Sequence, residues 1–190
     1  MSFTHKTYQL SSIAIIFIVA MFFSCTNDAK EVRDFLAEKN LPIGVAKNAV
    51  HFYKDSGFVT SKLETSLMYD FSNRKDHPYN EFPQGVLITS YENKGKDSVT
   101  VLGDYAISYK KTFLSEIKGS VIVTNHTSKS ILKTDQLFWD QKSNYFFTEK
   151  QFVLITETDT VNGIGFESKE DLTKVITKKT FGNITTKEDQ

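Results

Sequence analysis

From Val50 onward, apolar and polar residues alternate along the chain with a period of two. Val59, Leu63, Leu67, Tyr69 and Phe71 alternate with Thr60, Lys62, Glu64, Ser66 and Asp70. The same pattern sets Val99, Val101, Tyr105, Ile107 and Tyr109 against Thr100, Asp104 and Ser108. It recurs in Phe113, Ile117, Val121 and Val123 against Glu116, Lys118 and Ser120. Successive side chains of a strand point to opposite faces, so alternation of this kind predicts strands with one buried face. Their β-branched and aromatic content agrees. Polar clusters at Asp55-Ser56-Gly57, 93–97, 110–112, Asn125-His126 and 140–144 read as hairpin loops. Residues 168–172 are the one stretch after Val50 that admits a helix. Strand after strand with tight links predicts an all-β fold, an antiparallel meander, barrel or roll.

An internal echo narrows this. Leu63-Glu64-Thr65-Ser66-Leu67-Met68-Tyr69-Asp70 reappears as Leu132-Lys133-Thr134-Asp135-Gln136-Leu137-Phe138-Trp139-Asp140, with a related stretch at 101–109 between them. Repeated strand–turn–strand units suggest stacked hairpin rungs that grow along one axis and leave strand edges free at both ends.

The N-terminal pattern is different. Residues 13–23 form an unbroken apolar run after Lys6 and end at Ser24-Cys25. The run is well short of the ~20 apolar residues that span a bilayer as a helix. Residues 1–24 therefore read as a signal peptide, and Phe22-Phe23-Ser24-Cys25 resembles a lipobox. A lipobox cysteine carries acyl chains, and two or more chains make a stable anchor. An uncleaved signal anchor is the alternative, and both place the rest of the chain outside the cytoplasm on a membrane. Residues 25–48 are polar and read as a tether or linker, although Val32, Phe35 and Leu36 have helical spacing. Residues 49–184 form the expected β domain, and 185–190 a polar tail.

Composition mostly excludes. Lys and Arg number 23 and Asp and Glu 23, with no basic block, which argues against nucleic acid as a partner. With a single cysteine no intrachain disulfide exists, so the fold rests on apolar burial. The 4 histidines are isolated and lack metal-ligand spacing, so no metal or cofactor is expected. Asp135 with Asp140, and Glu167 with Glu170 and Asp171, lie in expected turns and read as solvated carboxylates. No nucleophile–base pair or phosphate loop is present, and the chain is not expected to be an enzyme.

Several stretches together resemble the LptC family of lipopolysaccharide-export proteins and its LptA and OstA-like relatives. Residues 52–63 resemble the family's opening hairpin, and Phe82-Pro83-Gln84-Gly85-Val86 its F-P-x-G-V strand. Residues 103–109 with 117–123 resemble its central rung, and 132–140 with 163–168 its later rungs. The likeness spans residues 50–182 and suits a lipoprotein form of the family. It implies an open twisted β-jellyroll whose apolar groove takes lipid A acyl chains. It also implies that lipopolysaccharide arrives from an inner-membrane ABC transporter and leaves to an LptA-like bridge protein, with a sheet edge docked on each partner.

The expected inward, groove-lining set is Leu67, Tyr69, Phe82, Val86, Ile88, Val101, Ile107, Val121, Val123, Leu137, Phe152 and Leu154. The resemblance adds Phe181. Docking edges are expected at Val50 and Phe52 and at Val175, Ile176 and Thr177. Two other readings stay open: a structural or adhesin-like β-domain lipoprotein, and a lipocalin-like closed barrel carrying a small hydrophobic ligand.

Overall fold

The computed structural model describes residues 29–181. A helix, α1 (Ala29–Glu38), precedes eleven strands: β1 (Gly44–Asp55), β2 (Phe58–Phe71), β3 (Tyr79–Phe82), β4 (Val86–Glu92), β5 (Asp97–Gly103), β6 (Tyr105–Tyr109), β7 (Leu114–Asn125), β8 (Ile131–Asp140), β9 (Tyr145–Ile155), β10 (Thr160–Lys169) and β11 (Ile176–Phe181). All pairings are antiparallel, as short connections require. Among the described residues β1 pairs only with β2, and β11 only with β10, so their sheet does not close into a barrel.

The registers reveal a simpler plan than eleven strands suggest. β2 pairs with β4 through residues 61–64 and with β3 through residues 69–71. β3 and β4 are thus two halves of one long strand, broken at residues 83–85. β5 and β6 are likewise halves of another, broken at Asp104, because β7 pairs with both. The molecule is an up-and-down meander of long strands, several of which break or bulge partway along. The bends lie along one line that folds the sheet into two facing layers.

Irregularities mark that line. The registers slip between Lys118 and Val121, between Thr134 and Phe138, and between Ile164 and Phe166. Such bulges bend strands and re-aim side chains. Gly119 sits in the first of them with φ +74°, and a Cβ there would lie 2.7 Å from an Asp104 carboxylate oxygen. Asp104 N–H donates to the carbonyls of Lys118 and Gly119, each at 3.0 Å, which closes the bulge. The repeated threonines hold equivalent corners. Thr65 Oγ1 lies 2.8 Å from Gly85 O and 3.0 Å from Leu67 O, and Thr134 Oγ1 lies 2.8 Å from Gln151 O and 3.3 Å from Gln136 O. The sequence echo is therefore a structural repeat.

The core lies between the layers. Leu63, Ile88, Val101, Val123, Leu132, Leu154 and Val161 are cross-strand partners in one continuous row. Phe82, Ala106, Ile117 and Leu137 make the matching row of the second layer. All but Val161 are buried, and Val161 packs against them. Each large side chain so buried contributes about 1.5–3 kcal/mol of transfer free energy.

Alternation is interrupted at the bends, and there the structure departs from the expected inward set. In β6 the inward residues are Ala106 and Ser108, so Ile107 points to the outer face with Tyr105 and Tyr109. Met68 packs on the core, which puts its neighbour Tyr69 on the outer side with Phe71 and Tyr79. Leu67 lies half-buried at the bend, outside the core cluster. Phe113 stands in the β6–β7 turn with φ +58° and is exposed. One residue inserted at a bend reverses which face every later side chain takes.

Two boundaries also move. β1 begins at Gly44, inside the segment read as linker, and 29–38 are helical as the Val32, Phe35 and Leu36 spacing allowed. Residues 168–172 are not helical: they end β10 and enter a turn where Leu172 has φ +59°. The signal-peptide reading of 1–24, the lipidation of Cys25 and the polar tail 185–190 fall outside the described residues.

Candidate lipid-binding groove

Between the layers, the β2–β7 half of the molecule holds a cavity of about 490 Å³ that opens to solvent. Its floor is apolar: Leu63, Phe82, Val86, Ile88, Ala106 and Ile117. Its rim carries Asn80, Ser90, Ser108, Ser115 and Gln141. Alternation explains the division. Moving one inward position from the Phe82–Ala106–Ile117 row toward the mouth gives Asn80, Ser108 and Ser115, all small or polar. Their hydrogen bonds knit the rim: Ser115 donates to Ser108 Oγ at 2.9 Å, and Gln141 Nε2 donates to Ser115 Oγ at 3.1 Å. Small side chains here leave the space unfilled.

The same row, followed further, becomes Trp139, Phe146 and Ser168. Trp139 forms one wall of the cavity, its ring 5.8 Å from that of the fully buried Phe146. Beyond it Phe152 and Phe166 fill the gap between layers, with centroids 5.1 Å apart. The loop after β10 closes the mouth over this half. Leu172 inserts into the core, and Asn125 Nδ2 donates to Asp171 O at 2.8 Å. The trough is thus open at one half and packed with aromatics at the other.

Glu170 stands at the junction. Its carboxylate accepts from Trp139 Nε1 at 3.1 Å and lines the cavity. Burial raises its pKa above the usual glutamate value, and the nearby Glu92 and Asp171 carboxylates push the same way. The Trp139 and Ser90 hydrogen bonds oppose them. Among the described residues no lysine or arginine lines the cavity.

Of the expected groove residues, Phe82, Val86 and Ile88 line the cavity. Val101, Val121, Val123, Leu137, Phe152 and Leu154 are buried core around it. Tyr69 and Ile107 face outward, Leu67 stays at the bend, and Phe181 is 42% exposed at the end of β11, beside a shallow depression shared with Ile122 and Val153. The rim and wall residues Asn80, Ser115, Trp139 and Glu170 were not anticipated. The Leu132–Asp140 echo contained Trp139, but only the register places it opposite Ser115. The expected docking residues Val50, Phe52 and Ile176 are exposed on the two outermost strands. Val175 lies exposed just before β11, and Thr177 is half-buried opposite Phe166.

Among the described residues no group of acidic, histidine or cysteine side chains is arranged to hold a metal, and no helix is long and apolar enough to cross a membrane. A comparison with curated proteins finds no match. A family model described as lipopolysaccharide-assembly, LptC-related, matches residues 13–177, which includes every strand from β1 to β10 and the start of β11. The antiparallel all-β sheet is consistent with an LptC-like β-jellyroll, and the chain belongs to the LptC-related family of lipopolysaccharide-assembly proteins.

Proposed function

We propose that this protein is a non-catalytic, membrane-tethered component of lipopolysaccharide export. It receives lipopolysaccharide from an inner-membrane ABC transporter, holds the acyl chains between its two layers, and passes them to an LptA-like bridge protein. Family membership supports involvement in lipopolysaccharide transport. The observation that carries the finer reading is the unsealed cavity with an apolar floor and a polar rim.

An acyl chain gains about 0.8 kcal/mol for each methylene removed from water, so a trough of this kind holds lipid without covalent chemistry. The rim leaves the polar head outside. The outer edges of β1 and β11, unpaired among the described residues, suit partners that add a strand, since backbone pairing supplies affinity and exposed side chains such as Phe52 and Ile176 supply selectivity. Acylation of Cys25 anchors the domain on the periplasmic side of the inner membrane. The sequence has no nucleotide-binding loop, and in this reading the driving force comes from the transporter.

Photo-crosslinking in cells tests the reading. A photoreactive residue at Phe82 or Ile88 captures lipopolysaccharide, whereas one at Ile107, on the opposite face, does not. Equal capture at all three positions, or none at Phe82 and Ile88, refutes it.

A further inference from the structure

α1 carries an apolar stripe of which Val32 and Phe35 are exposed and Leu36 is half-buried. Val32, Phe35 and Leu36 lie at positions i, i+3 and i+4 and share one side of the helix. Val32 is 49% exposed and Phe35 55%. Leu41 and Ile43, just past the helix, are exposed as well. Glu31 and Glu38 flank Phe35 four residues before and three after it, and Arg33 and Asp34 fall on the side away from Val32 and Phe35.

Hydrogen bonds hold the helix at its C-terminal end. Arg74 donates from Nη1 to Ala37 O at 2.7 Å and from Nη2 to Asn40 Oδ1 at 2.6 Å. Asn73 Nδ2 donates to Leu41 O at 3.2 Å, and Ile43 N–H donates to Asp70 O at 2.8 Å. These bonds tie the last turn and the following residues to the end of β2, so α1 has a defined direction relative to the sheet.

We propose that α1 lies in the membrane–water interface with Val32, Phe35 and Leu36 turned into the acyl boundary. The inference rests on the membrane tether of the proposed function. Chain length argues for lipid as the occupant. The apolar run ends at Phe23 and Cys25 follows, so α1 starts four residues beyond the anchor point. An extended chain covers about 3.5 Å per residue, which keeps the start of α1 within about 14 Å of the anchor. A short apolar face held that close to a bilayer meets lipid at high effective concentration.

The charges on α1 are mixed, with Lys30 and Arg33 against Glu31, Asp34 and Glu38, so apolar burial rather than headgroup charge makes the contact. A single lipid anchor would let the domain swing freely. An anchor plus a surface-bound helix gives two points of attachment and sets the tilt of the groove over the membrane.

The test uses the full chain, purified from the membrane and reconstituted in phosphatidylethanolamine–phosphatidylglycerol vesicles. Spin labels are introduced one at a time through Val32→Cys, Phe35→Cys, Arg33→Cys and Asp34→Cys, with acylated Cys25 unreactive. Collision rates with oxygen and with a water-soluble nickel chelate report depth. The labels at 32 and 35 gain oxygen and lose nickel accessibility several-fold relative to those at 33 and 34, and the contrast persists in high salt. Equal nickel accessibility at all four sites, in a chain that still sediments with the vesicles, overturns the inference while leaving the tether intact. A wild-type chain that leaves the vesicles overturns the tether reading and the inference together. Shielding that appears only after other membrane proteins are added assigns the stripe to a protein partner and overturns it as well.

Discussion

Ala106→Phe separates the groove from the core around it. Ala106 is 3% exposed, lies between Phe82 and Ile117 in the second-layer row, and lines the cavity of about 490 Å³. A phenyl ring at this position enters existing space, so stability should change by no more than about 1 kcal/mol, below the usual cost of overpacking. The ring also removes wall and volume that an acyl chain would use. If it displaces on the order of 100 Å² of acyl contact, the loss at ~25 cal/mol/Å² is about 2.5 kcal/mol, or roughly 70-fold in affinity. Displacement of a fluorescent acyl lipid from the purified domain measures the affinity, and thermal unfolding measures stability. Ile107→Phe, one residue along and on the outer face, should leave binding unchanged. Wild-type affinity in a folded Ala106→Phe variant, or equal losses in both variants, would show that lipid does not occupy this cavity.

Three further outcomes follow from the bends and the rim. Gly119→Ala should destabilise the domain by about 1–3 kcal/mol in denaturant titration, because φ +74° is strained for alanine and the new Cβ meets the Asp104 carboxylate; unchanged stability would mean the bulge relaxes freely. Thr65→Val and Thr134→Val should each cost about 1–3 kcal/mol, since each strips a buried hydroxyl from carbonyls at a bend; a loss at one site only would break the equivalence of the two repeats. Glu170 binds its proton more tightly in the folded state, where burial raises its pKa above 4.5, so its contribution to stability falls as pH rises from that value through the raised one. Glu170→Gln, which keeps an acceptor for Trp139, should flatten that decline in pH-dependent unfolding, and an unaltered slope would exclude Glu170 as its source.

Period-two alternation determined by itself that this chain is a sheet. It is a local property of each strand, and polar turns at short intervals forced the antiparallel order. The hairpin loops at 55–57, 93–97, 110–112 and 140–144 all lie where they were expected. The echo between residues 63–70 and 132–140 was also legible, because Thr65 and Thr134 perform the same local task.

Which face became the interior was decided by tertiary structure. Alternation gives two faces but carries no sign, and every bend resets it. Val101 and Ile107 look equivalent in the sequence, yet one points into the core and the other away, because the strand breaks at Asp104 between them. The cavity is legible only as a sum of cross-strand neighbours. Ser108 and Ser115 stand in different strands, and their smallness makes a hollow only when the register places them side by side and faces them with Ile88. Trp139 and Glu170 become wall and rim by the same long-range pairing, which is nonlocal and therefore absent from any single stretch of the chain.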